Sequence, residues 1–165
     1  MRSKEWNKLS TDIQDVITSN QTEAPVKISV LAKDLDVSIK GATLPPGISG
    51  EIRRDLTDQD HFIIRINKHE PQKRQRFTAA HELAHYLLHR DHIGAGLEDG
   101  VLFRSNNTDR IEAEANRLAA DILIPNDLLE RAVEDARSLG IENLAEYVSE
   151  CFDVSEAVAR IKLES

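Results

Sequence analysis

Apolar side chains recur along this chain at two spacings, and the switch between them marks out its elements. Between residues 5 and 20, Trp6, Leu9, Ile13, Val16 and Ile17 fall close to a 3.6-residue period, which predicts an amphipathic N-terminal helix used for packing. Pro25 introduces Val26-Lys27-Ile28, read as a short strand, and Ser29 to Val37 reads as a short helix capped by Ser29. Leu44-Pro45-Pro46-Gly47 predicts a loop. Ile48 to Arg53 and Phe62 to Ile66 are candidate strands joined by the polar stretch from Asp55 to Asp60, hence a hairpin. Helical spacing resumes at Pro71, placed for the first turn of a long, largely apolar helix ending near His89. From Ile93 to Asn107 the glycines and asparagines predict a loop-rich connection, a candidate rim for a cleft. A second long helix starts at Asp109, with Ile111, Ala115, Leu118, Ala119, Ile122 and Leu123 as one stripe. Beyond Pro125 the pattern predicts helices over 127–139, stopped by Gly140, then 143–152 and 155–163.

These elements predict an α+β protein, mostly helical, with a small antiparallel sheet packed on the central helix. The expected division is a main unit over residues 1–125 and a C-terminal helical subdomain over 126–165. A chain of 165 residues, 40% hydrophobic and 30% charged, suits one soluble domain. No apolar run approaches the roughly 18 residues of a membrane span, and Met-Arg-Ser-Lys-Glu-Trp leads into no secretory segment, so a cytoplasmic location is expected. The single cysteine, Cys151, reads as a small buried hydrophobe. Two stretches, Leu31 to Val37 and Leu144 to Glu156, look like helix-turn-helix phrases. The net charge of −8, and six acidic against two basic residues over 141–165, argue against direct binding to phosphates. A basic protein partner suits that charge better.

The chemistry concentrates in the central helix. At about 100° per residue, His81 and His85 stand one turn apart on a single face, with Glu82 beside it. Two neutral imidazoles so placed can hold Zn²⁺, with the adjacent carboxylate serving as a proton acceptor rather than a ligand. A catalytic zinc needs a third protein ligand. On the second helix Glu112 lies about 65° from the centre of the apolar stripe and Glu114 about 95° away on the other flank, so Glu112 is better placed to face the core. A competing reading of Asp109-x-x-Glu112 is an N-terminal capping arrangement. His89, a further turn along from His85, reads either as a ligand or as a support for one. His61 and His69 read as solvated. The metzincin pattern requires Gly at position 88 and His at 91; Leu88 and Asp91 exclude it.

The run Arg74 to His89, R-x-R-F-T-x-A-H-E-L-x-H-Y-L-L-H, resembles the signature of the ImmA/IrrE family of zinc metallo-endopeptidases. Glu112 to Pro125 resembles that family's second block, with Leu118 and Ile124 in place of Phe and Met. The resemblance implies a zincin-like fold and a Zn²⁺ cofactor on His81, His85 and Glu112, with Glu82 as general base. It also implies Asn116 as an orienting group and a supporting role for His89. Tyr86, His89 and His92 are unranked candidates for stabilising an oxyanion. The implied substrate is a helix-turn-helix repressor, cut at a limited site to release the genes it silences. The rival expectation is a non-catalytic module that binds such a repressor, as in a toxin-antitoxin pair. The edge of the strand hairpin is a candidate for docking the substrate main chain by strand addition.

Overall fold

The computed structural model describes residues 1–93 and 108–165. The predicted rim between Gly94 and Asn107 lies outside the described residues. Among the described residues, seven α-helices and three strands follow in the order α1 (Thr11–Ser19), α2 (Ile28–Asp34), β1 (Val37–Ala42), β2 (Gly50–Arg54), β3 (Phe62–Asn67), α3 (Gln72–Leu88), α4 (Thr108–Leu123), α5 (Asn126–Ser138), α6 (Leu144–Phe152) and α7 (Glu156–Glu164). The fold is α+β, with α3 central: the sheet covers one side of it and α4 crosses the other. Among the described residues no helix is long and apolar enough to cross a membrane.

The N-terminal helix is shorter than its apolar spacing predicts. Trp6–Lys8 form a single 3-10 turn, after which Ser10 accepts a bond from the Ile13 backbone N–H and starts α1 afresh. No strand forms at Val26-Lys27-Ile28. Ile28, Leu31, Ala32 and Leu35 are all buried, a helical spacing that carries α2 back to Ile28, so Lys27 rather than Ser29 occupies the cap position. Val37, expected to close that helix, instead opens β1, after Asp36 turns the chain at φ 61°.

The sheet order is β1-β3-β2. The expected hairpin is present, β2 pairing antiparallel with β3, but β1 lies on the other side of β3 and runs parallel to it, from Val37 opposite Phe62 to Ala42 opposite Asn67. The sheet is therefore mixed rather than antiparallel throughout. Alternation along β3, where Phe62, Ile64 and Ile66 are buried, sets which side chains face α3 but says nothing about the direction of its neighbour. Gly50 lets β2 seat closely on α3: a Cβ there would collide with Thr78 Cγ2 and crowd the Arg65 carbonyl. The α3–α4 crossing is equally tight, with Ala80 and Ala84 of α3 and Ala115 and Ala119 of α4 fully enclosed.

Helices α6 and α7 form a pair joined at Asp153, which adopts φ 51° as it ends α6. Arg76 of α3 donates to the carbonyls of Phe152 and Asp153 and pairs with the Asp153 carboxylate at 3.3 Å, tying this turn to the central helix. A second tie is ionic and buried. Asp121 near the end of α4 accepts from Lys162 of α7, and from the backbone N–H and hydroxyl of Ser3.

Candidate metal centre

His81 and His85 project from the same side of α3 because they stand one turn apart, and α4 brings Glu112 against both. One Glu112 oxygen lies 3.0 Å from His81 Nε2 and the other 3.3 Å from His85 Nε2, while the two Nε2 atoms are 3.0 Å apart. Among the described residues these three form the group of side chains able to hold a metal ion, with their ligand atoms all within 4.8 Å of one another. His85 is fully buried and Glu112 about one third exposed, so the cluster opens on one side.

The outer ring nitrogens explain which atoms point inward. His81 Nδ1 lies 2.8 Å from the Asn116 amide oxygen, an acceptor, so Nδ1 carries the proton and Nε2 of neutral His81 presents a lone pair. His85 Nδ1 lies 3.0 Å from His89 Nδ1, and His89 Nε2 lies 3.1 Å from a Glu114 oxygen. The carboxylate accepts a hydrogen bond from His89 Nε2–H, leaving His89 Nδ1 to accept from His85 Nδ1–H, so His85 Nε2 is also bare. Two lone pairs and a carboxylate then face one another, an arrangement that repels itself unless a positive charge sits among them. The residues fit a divalent cation of the kind His and carboxylate ligands favour.

The titration behaviour points the same way. The close approach of the two histidine rings, His81 first and His85 second, holds Glu112 well below the usual carboxylate range. Burial lowers the pKa of His85. Burial also pulls on His81, but the Glu112 bond and the charges of Glu82 and Glu112 outweigh it and raise the proton affinity of that ring. Glu82 is buried beside the cluster, and burial pushes its carboxyl up to about 7, with Glu112 and Glu51 adding to the rise and His81 opposing it.

The other expected residues separate cleanly. Tyr86 turns away from the cluster: its hydroxyl donates to the Leu35 carbonyl at 3.3 Å and its ring meets Phe62 edge-on. One residue beyond His85 on a helix is a rotation of about 100°, which carries it off the metal-facing side. His92 is exposed, with its ring 6.2 Å from that of His89. His61 and His69 bond to Ser38 and Thr43, on the sheet and its flanking loop. Glu112 is engaged by the two histidines, so the capping arrangement does not describe it. Glu114, set aside as lying on the wrong flank, is buried against His89 and is the participant that sequence reading missed. The one available signal was His89 itself, since a buried imidazole needs partners at both nitrogens.

With this geometry in place, the comparisons define a class. The family model of the IrrE N-terminal-like domain, a peptidase family, matches residues 43–164, and the chain belongs to that family. It is 28% identical over 106 residues to the metallopeptidase ImmA of Bacillus subtilis (strain 168), an overlap covering 63% of this chain and 56% of that protein. Its fold is similar to that of a Mycobacterium tuberculosis transcriptional regulator, with a TM-score of 0.61 and 16% identity over 96% of this chain and 48% of the other. The chain thus spans about half the length of these relatives.

Proposed function

We propose that this chain is a zinc-dependent endopeptidase of the cytoplasm that cuts a helix-turn-helix repressor at a limited site, relieving repression. The observation that carries the reading is the convergence of His81, His85 and Glu112 with a buried carboxyl, Glu82, next to them. His81, His85 and Glu112 would hold the Zn²⁺. When bound there, zinc supplies Lewis acidity, bringing the pKa of a water toward about 7 and polarising a peptide carbonyl.

The remaining work falls to the chain's own side chains. A Glu82 carboxyl tuned near neutrality can accept a proton from the attacking water and return it to the departing amide nitrogen. Asn116 and His89 hold the imidazoles in the required tautomers. Strand β2 is an edge of the sheet, so its outer backbone groups are available to pair with an extended peptide, and Glu51 on that strand is near enough to influence Glu82. In this reading residues 1–125 form the catalytic unit and 126–165 a helical subdomain beside it. The repressor as substrate is what the resemblance of Arg74 to His89 and Glu112 to Pro125 to the ImmA/IrrE signature implies.

The test is incubation of the zinc-loaded protein with the repressor encoded beside it, followed by mass measurement of the products. Two defined fragments are expected, and none with Glu82→Gln, which retains zinc; the loss should be about 10²–10⁴-fold in rate. Cleavage undiminished in Glu82→Gln would remove the base assignment. A stable complex with intact repressor would favour a non-catalytic binding role instead.

A further inference from the structure

We propose that Glu114 is a positioning residue for the metal centre, acting through His89 to keep a proton on His85 Nδ1 and so to leave His85 Nε2 free to face the cluster. This rests on the metal-site reading above, and it assigns a role to a residue outside the ligand set.

The two imidazoles are supported differently. His81 is oriented by one neutral amide, whose oxygen fixes the proton on Nδ1 directly. His85 has no such partner: its Nδ1 meets another imidazole nitrogen at 3.0 Å, and either ring can carry the shared proton. The ambiguity is resolved one step further out, where Glu114 faces His89 Nε2 at 3.1 Å. A carboxylate accepts only, so His89 must present N–H on that side and a lone pair toward His85. Take the carboxylate away and His89 is free to carry its proton on Nδ1. His85 would then accept at Nδ1 and carry its own proton on Nε2, aimed at Glu112 and His81, where it excludes a metal.

The surroundings suit a fixed anion. Glu114 is nearly enclosed, with Lys8 at 3.2 Å and Arg110 at 3.7 Å from its carboxylate. His85 and His89 are both buried, away from water that could supply alternative partners, so hydrogen bonding within the relay places their ring protons. Lys8 belongs to the 3-10 turn near the N-terminus, and that turn is held to α4 by the enclosed Glu5, which accepts two bonds from Arg117. The N-terminal turn therefore braces the same relay from outside.

The experiment uses the full chain with ¹⁵N-labelled histidine. Long-range ¹H–¹⁵N correlation in the metal-free protein reads which nitrogen of His85 carries the proton, and competition with a chromogenic chelator reads zinc affinity. The unaltered protein should show the Nδ1–H form. Glu114→Ala should shift His85 toward the Nε2–H form and weaken zinc binding about 10–100-fold. Glu114→Gln, whose amide oxygen still accepts from His89, should restore the Nδ1–H form and most of the affinity. If Glu114→Ala does not fold, Lys8→Met loosens the carboxylate from a half-exposed position and should weaken binding about two- to fivefold. Unchanged affinity and an unmoved proton in Glu114→Ala, or unchanged affinity in Lys8→Met where only that variant folds, overturn the proposal. Failure of the unaltered protein to bind zinc overturns the metal-site reading itself.

Discussion

Two of the carboxylates that helix α4 sends across to other helices, Asp121 and Glu112, end in opposite circumstances. Asp121 is 2% exposed and meets a cation of the chain itself, Lys162, together with the N–H and O–H of Ser3. Glu112, nine residues earlier, is 38% exposed and meets two imidazoles that turn lone pairs toward it. The first is a closed ion pair in which every strong group has its complement, as deep burial requires. The second collects donors of one sign of electron density and stays open toward solvent. The difference teaches how to tell a strut from a site on the same helix: the strut is balanced by the chain alone, whereas the site is balanced only by something the chain must acquire.

That contrast can be broken from either end. Glu112→Ala should cost at least about 100-fold in zinc affinity, since it removes a ligand rather than a supporting group, while shifting the urea midpoint of the metal-free protein little. Asp121→Ala should do the reverse, leaving buried Lys162 unpaired and lowering unfolding free energy by about 3–5 kcal/mol with zinc affinity unchanged. If Asp121→Ala weakened zinc binding as much as Glu112→Ala, the two ends of α4 would not be independent and the distinction would fail. Zinc itself should stabilise the protein by about 2.7 kcal/mol at one hundred times its dissociation constant, an increment abolished by chelation and absent in Glu112→Ala.

A smaller effect sharpens the comparison by adding a second closed pair. The Arg117 hydrogen bonds hold Glu5 below the ordinary carboxylate value of 4.5. A depressed folded value means that the contribution is present above pH about 4.5 and fades as pH falls through the folded pKa. Glu5→Gln should therefore lose about 1 kcal/mol at neutral pH and lose less on further acidification than the parent, as measured by urea unfolding at stepped pH. Zinc affinity at neutral pH should move far less than in Glu112→Ala.

Legibility followed locality. His81, Glu82 and His85 lie within one turn and a bit of helix, so a periodicity rule places them together without knowledge of the fold. The stripe of α4 is legible for the same reason, and it put Glu112 on the inward side. Glu114 was misjudged because an angle measured on one isolated helix ignores the neighbour: α3 extends a third histidine, His89, past the crossing, and that ring comes to Glu114 from the flank. Strand β1 was hidden because Val37 alone of its six residues is buried, so its apolar pattern is too weak to register.

Taken alone, the order of residues determined the helices with strong apolar periods, the α+β class and the pair of histidines on one helical face. All of these depend on neighbours within a few positions, where backbone geometry dictates what meets what. Only tertiary structure decided that β1 runs parallel to β3, that Asp121 closes on Lys162, and that Glu114 reaches His85 through His89. Those are contacts between segments distant along the chain, set by how α3, α4 and the N-terminal turn pack, and no spacing rule within one segment can supply them.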